Sequence, residues 1–326
     1  MKMFRTFLCG LAVFLLVLSL SSQTVAPMPQ IVGEGVISAP TDEFGGSLSP
    51  DGQTLYFSRS VPPHYIYGMF ASHRNGNSYG SPELLPFSGI ARDSDPVLSP
   101  DGKTLLFVSD RAVNGADPKR FLIYSARWNG NGWNEPVPLP SVINQLDKSC
   151  FFASLTRNGN LYFTCAKTDD PTIRVYSSMF VNDEYAQPID LGPEINQEGY
   201  VNIEAFVDPD EHFLLIGAFS RPDTIGSSDI YVSVRKDDHW LKPIHLDPPI
   251  NSVARDYSPR LSPDGKWLYF TSERGAFSED RNGRPWTYRE FQQSSRSIKN
   301  GLGNIYRISI EALHVPELMH ASQEPH

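Results

Sequence analysis

Cysteine is scarce in this sequence, three residues in 326, and no Cys/His spacing of the zinc kind occurs. A disulfide-dense miniature scaffold and a structural zinc module are both excluded. Clustered basic charge is missing as well. The chain carries 28 Lys and Arg against 37 Asp and Glu, a net charge of −9. With no basic run and no aromatic–basic platform, it lacks the footprint a phosphate backbone requires, and nucleic acid is excluded as a partner. Helical periodicity is almost absent. The eight histidines (His64, His73, His212, His239, His245, His314, His320 and His326) show no common register.

The longest apolar run lies at the start. Lys2 and Arg5 precede the uncharged stretch Phe7 to Leu20, and small and polar residues follow. Residues 1–26 therefore read as a signal peptide cleaved between Ser21 and Ala26, the run being short for a membrane span. Its loss leaves 26 basic against 37 acidic residues, a net charge of −11. The expected product is exported, periplasmic or extracellular, without a membrane span after processing. It comprises one domain over residues 27–315 and a tail over 316–326.

What the sequence has in quantity is repetition. The phrase "SPDG" stands at Ser49, Ser99 and Ser262, with "TRNG" at Thr156 and "DPDE" at Asp208, spaced 50, 57, 52 and 54 residues apart. Each phrase precedes an apolar run such as "TLYF" or "WLYF". A second register runs independently: one aromatic, another nine positions on, and a proline three further. Phe70, Tyr79 and Pro82 fit it, as do Tyr124, Trp133 and Pro136; Tyr176, Tyr185 and Pro188; and Tyr231, Trp240 and Pro243. Gly, Asn and Asp between the aromatics are hairpin-turn residues. Each unit thus reads as four strands, and repeated four-stranded units make a β-propeller. The fifth unit lacks its fourth strand. "PQIVGEGVIS", from Pro29, supplies it, so the expected fold is an all-β, five-bladed propeller of four-stranded blades, closed by the N-terminal strand in the last blade. A six-bladed ring is the rival and needs a further, unseen unit.

Within each phrase, Pro presets φ, Asp accepts local backbone hydrogen bonds and Gly takes the positive φ that ends the turn. The phrase is a folding device, since a catalytic Asp has no reason to recur around a ring. "DPDE" lacks the Gly, which predicts a distorted turn there. A basic residue closes the second strand of every unit (Arg59, Arg111, Lys167, Arg221, Arg274) and is expected to pair with acidic neighbours such as Asp110 and Glu273.

The phrase Leu261–Arg274 with Asn304–Tyr306, and Leu98–Arg111 with Ile123–Tyr124, resembles the Pro-Asp type of WD-repeat-like propeller found in TolB and other exported bacterial proteins. The resemblance covers nearly the whole mature chain and implies the fold. It does not imply a function, because the fold hosts lyases, hydrolases and pure interaction modules. TolB has an additional N-terminal α/β domain, which is not expected in this chain.

By that architecture the strand before each phrase lines the central channel. Aligned on the phrase, Glu43, Asp93, Cys150, Asn202 and Asp256 share one position. Asp42, Arg92, Ser149, Val201 and Arg255 precede them, and Gly45, Asp95, Phe152, Glu204 and Ser258 lie two beyond. Glu43, Arg92, Asp93, Asp95, Asn202, Glu204, Arg255 and Asp256 are accordingly the candidate ligand residues at the channel mouth. Crowded carboxylates raise a pKa or hold a cation, and hard oxygen ligands favour Ca²⁺. None of the histidines falls on these strands, so propeller lyases with inward histidines are not matched. The insertion from Ala276 to Gly303 breaks the repeat, with a short helix expected over "TYREFQQSSRSI", and offers Trp286, Tyr288, Arg289 and Arg296 as contact residues. Cys150 and Cys165 flank "TRNG" symmetrically and are a disulfide candidate. Two functions remain. One is a non-catalytic binding or scaffold propeller for a protein or carbohydrate of the cell envelope; the other is a secreted carbohydrate-active or other hydrolase or lyase using channel-mouth carboxylates.

Overall fold

A computed structural model describes residues 27–61, 66–113, 120–145, 147–167, 170–275, 277 and 281–314. The expected signal peptide and C-terminal tail lie outside the described residues. Five antiparallel sheets follow one another along the chain. Blade 1 holds Asp42–Leu48, Thr54–Val61, Ile66–Asn75 and Glu83–Leu84; blade 2 holds Asp93–Leu98, Thr104–Ser109, Leu122–Arg127 and Val137–Pro138. Blade 3 holds Lys148–Leu155, Leu161–Lys167, Asp170–Ser178 and Ile189–Asp190; blade 4 holds Val201–Val207, Phe213–Phe219, Asp229–Lys236 and Ile244–His245. Blade 5 takes Asp256–Leu261, Trp267–Ser272 and Asn304–Ser309, and its outer strand is Gln30–Ile31. Gln30 pairs with Arg307 and Ile31 with Tyr306, so the N-terminal strand closes the ring as expected. Among the described residues there is no sixth blade. The protein is a five-bladed β-propeller.

The repeated phrase makes the turn from the innermost strand to the second. In "SPDG" the serine hydroxyl donates to the Asp carboxylate (Ser49 to Asp51 2.5 Å, Ser99 to Asp101 2.6 Å, Ser262 to Asp264 2.6 Å). The same serine oxygen accepts from the first amide of the second strand, Thr54, Thr104 or Trp267. The serine hydroxyl and the next backbone amide hold Asp51 and Asp101 below the usual carboxylate range. The expected distortion at "DPDE" is not found. Glu211 adopts the left-handed conformation itself (φ 61°) and its amide donates to Asp208 O at 2.8 Å, the bond Gly52 makes to Ser49. Backbone hydrogen bonding there outweighs the cost of a side chain at positive φ.

Hydrophobic side chains collect into five clusters, one between each pair of adjacent blades. Met69 with Phe107 and Tyr124 joins blades 1 and 2, while Leu55 and Phe57 with Ile305 join blades 1 and 5. Aromatic pairs across the second and third strands repeat: Phe57–Phe70, Phe107–Tyr124, Phe163–Tyr176 and Phe270–Tyr306 all stack with centroids 5.8–6.0 Å apart. The second aromatic of the other register closes a hairpin and packs on the preceding blade. Tyr56 meets Trp133 at 6.0 Å and Tyr162 meets Trp240 at 5.9 Å, edge to face. That register therefore records contacts between blades.

Candidate functional site

Every innermost strand carries a β-bulge, between Phe44 and Ser47, Ser94 and Val97, Phe151 and Ser154, and Tyr257 and Arg260, and in blade 4 one position earlier, between Asn202 and Glu204. Gly45, Asp95, Phe152 and Ser258 take positive φ there. A bulge gives the strand an extra residue and re-aims its side chains. It separates the aligned positions into two groups with different fates.

The first group turns away from the channel. Glu43, Asp93 and Asp256 are fully buried and pair with the basic residue closing the second strand: Arg59 at 2.9 Å, Arg111 at 2.7 Å and Arg274 at 2.7 Å. Asn202 accepts from Arg221 at 2.8 Å. The guanidinium groups also donate to linker carbonyls between blades, Arg59 to Val36 and Ile37, Arg111 to Phe87, Arg274 to Pro249 and Ile250. In each linker a polar residue then grips the third strand. Asn144, Asn196 and Asn251 each accept from one peptide N–H of that strand and donate to the carbonyl of the same residue, and Ser38 does so with Ile305. The result is a clasp repeated around the ring, and it corrects two expectations. Glu43, Asp93, Asn202 and Asp256 are structural, not channel-mouth, residues, and the closing arginines pair with them and not with Asp110 or Glu273. Those two acids take Arg92 (2.7 Å) and Arg255 (3.5 Å) instead. Blade 3 replaces the acid–Arg pair with a disulfide between Cys150 and Cys165, whose Cα atoms are 4.1 Å apart.

The second group faces inward. One residue past each clasp position, Phe44, Ser94, Phe151, Ile203 and Tyr257 ring a cavity of about 310 Å³ at the mouth of the channel. Asp95, Phe152 and Glu204 line it from the bulges, joined by Arg255 and Asp42 from the strand starts, by Tyr67 from the third strand of blade 1 and by Phe121 just before that of blade 2. Of the eight residues expected at the mouth, then, Asp95, Glu204 and Arg255 line the cavity. Arg92 lies beside it, stacked 4.8 Å over the Phe121 ring.

The three carboxylates of the cavity differ in what they have left to offer. Asp42 accepts from Ser60 at 2.6 Å and from the Gly303 amide at 2.9 Å. Glu204 accepts from the amide and the hydroxyl of Ser258. Asp95 accepts from Ser94 through Oδ2 at 2.8 Å, and its own amide donates to Ser58. Its Oδ1 is buried with no partner. Burial, with the Glu204 charge beside it, pushes the Asp95 carboxyl up to about 7. Burial also raises Glu204, opposed by Arg260 and Arg255. Arg255 rests 4.1 Å from the Tyr257 ring centroid, and its Nε is buried without an acceptor. Arg260, only 2% exposed, lines a second cavity at the opposite, turn end of the channel. Ca²⁺ collects six to eight oxygens; among the described residues no three His, Cys, Asp or Glu side chains form a metal-binding group. Arg255 already stands in the cavity.

The insertion holds a helix, Tyr288–Ser295, opened by a capping box between Thr287 and Glu290. Arg281 and Arg284 pair with Glu290, Trp286 lies between Phe277 (4.8 Å) and Arg281 (3.7 Å), and the helix buries no side chain. Its root is at the mouth, where the Gly303 amide donates to the cavity-lining Asp42 at 2.9 Å. Trp286, Tyr288, Arg289 and Arg296 do not line the cavity. The pentad Gly76–Gly80 has the letters of a Gly-x-Ser-x-Gly nucleophile elbow. It is the tip of a hairpin in which Asn75 pairs with Ser78, with no helix following, so it lacks the strand–turn–helix that exposes a nucleophile.

The residues sequence reasoning missed are the aromatic wall and the linker clasp. The dipeptide Ile-Asn at Ile143, Ile195 and Ile250 was the visible signal for the clasp. No family model and no curated protein matches this sequence. Among solved structures, the chain is similar to TolB from Acinetobacter baumannii at 14% identity, covering 88% of this chain and 64% of that one, TM-score 0.45. It is also similar to an exo-1,5-α-L-arabinanase from a bovine ruminal metagenomic library (11% identity, 76% and 97% covered, TM-score 0.46). A third is the catalytic domain of a Coprinopsis cinerea GH62 α-L-arabinofuranosidase (10%, 87% and 97%, TM-score 0.47).

Proposed function

We propose that this protein is an exported, non-catalytic propeller that binds a small ligand at its channel mouth and a protein partner through the insertion in its last blade. The observation that carries the reading is the split between neighbouring positions. The clasp position performs one structural task around the ring, whereas the next two positions are unlike one another and converge on one cavity. Two of the three carboxylates there have their oxygens engaged within the protein, which favours binding over acid–base chemistry. The hydrolase reading draws on one observation, the elevation of Asp95 to about 7 beside Glu204.

Incubation of the purified protein with chromogenic glycosides and esters decides between them. No turnover is expected; turnover abolished by Glu204→Gln overturns the binding reading. For the insertion, exposed Tyr288 (76%) and Phe291 (51%) with Arg289 and Arg296 supply the contact face. Removing residues 278–299 is expected to abolish capture of an envelope protein while leaving the melting temperature unchanged. Aggregation of the shortened chain would instead assign the segment a structural role.

A further inference from the structure

Resting on the reading of the channel mouth as a ligand site, we infer that its ligand is a single neutral sugar residue, held by Asp95 and Arg255 against the aromatic wall. Two of the residues that line the cavity have hydrogen-bonding capacity the protein does not use, and this carries the argument. Asp95 Oδ1 is a buried carboxyl oxygen without a hydrogen-bond partner, and Arg255 Nε is a buried donor without an acceptor. Asp95 is pinned by its bulge (φ 57°) and by Ser58 and Ser94, and Arg255 by Glu273 and the Tyr257 ring. A ligand that fills the cavity must bring both a donor and an acceptor, since leaving either group unpaired in a desolvated site costs more than the bond itself contributes. A hydroxyl does both.

Charge narrows the class. An anion would meet Asp42, Asp95 and Glu204, and a cation would meet Arg255 with Arg260 behind it. A neutral ligand avoids both penalties. The walls exclude a merely polar molecule: Phe44, Phe121, Phe151 and Phe152 present ring surface that a hydrated polyol would leave wet. A sugar ring combines hydroxyl edges with C–H faces suited to those rings. The volume, about 310 Å³, stands at the lower limit of small-molecule sites and suits one residue, with any further residues of a glycan emerging past the insertion root at Gly303.

Saturation-transfer NMR and titration calorimetry on the purified protein test this. The probes are D-glucose, D-galactose, D-xylose, L-arabinose and N-acetyl-D-glucosamine as methyl glycosides. Their comparators are D-glucosamine, D-glucuronate and the zwitterion L-tryptophan. At least one neutral glycoside is expected to bind, with Asp95→Asn and Phe151→Leu each weakening it about tenfold or more in variants whose near-ultraviolet circular dichroism is unchanged. Tighter binding of a charged or zwitterionic probe, still sensitive to Asp95→Asn, overturns the sugar and keeps the site. Sugar binding indifferent to both variants places the sugar elsewhere and overturns the inference. Absence of binding by every probe overturns inference and site together.

Discussion

Asp95 shows what one side chain can do to the pH response of a whole ring. Its carboxyl sits at about 7 in the folded protein against 3.8 for the ordinary group. Between those values the unfolded chain releases the proton and the folded chain keeps it, so stability falls as pH rises from about 4 to 7 and levels off above. At 1.36 kcal/mol per pH unit the loss from this group is about 4 kcal/mol. Buried Glu204 and Glu43, also raised, act in the same direction. Asp95→Asn is therefore expected to stabilise the protein by a few kcal/mol at pH 8 and by little at pH 4, measured by urea unfolding at both. A destabilised variant at pH 8 would mean that Asp95 is held ionised. This behaviour was half legible in the sequence. Alignment on the turn phrase placed Asp95 and Glu204 near one another, yet it also nominated Glu43, Asp93 and Asp256. Strand alternation sends neighbours to opposite faces, and only the bulge, which no residue type announces, settles which face is the channel.

At the scale of the element, the clasp distinguishes two kinds of ion pair. Arg111 donates to buried Asp93, reaches Phe87 O, and lies within 6 Å of three aromatic ring centroids. Arg111→Ala removes the counter-charge of a buried carboxylate, leaving it only the Ser88 and Ser109 hydroxyls, and is expected to cost about 3–5 kcal/mol, read as a fall in melting temperature. Arg92→Ala breaks a pair in which Arg92 is 44% exposed and is expected to cost at most about 1 kcal/mol. Equal effects would refute the distinction. The bridge in blade 3 occupies the equivalent place. Replacing Cys150 and Cys165 by Ala is expected to cost about 3 kcal/mol, from the closure entropy of a loop of about 15 residues, and thiol titration with peptide mapping should find neither Cys150 nor Cys165 free in the unreduced protein. The recurring basic residue was plain in the sequence, but its partner was not. The nearest acids in the chain, Asp110 and Glu273, drew attention from the acid one strand away.

Closure belongs to the whole molecule. The five blades and the identity of the last outer strand were legible because turn chemistry and aromatic spacing repeat with the period of the blade. The cavity was not, because its walls consist of the positions where the repeat varies. Two strand residues, Gln30 and Ile31, with Val32 donating to Ile305 O at 2.9 Å, join the first and last parts of the chain. Deleting residues 27–33 is expected to strip blade 5 of its edge and broaden the thermal transition. An unchanged sharp transition would show that the ring holds without its latch.

The closing strand also fixes an orientation. Gln30 lies opposite Arg307, and Ser309 lies opposite Trp267, the first residue of the strand after the "SPDG" turn; Ile310 then donates to Lys266 O at 2.9 Å. Both ends of the described chain thus leave from the turn side of the disc, while the cavity and the insertion root open on the other. Any tether at either end, whether a chip surface, a fused carrier or a bead, would hold the disc by its back and point its mouth at the solution.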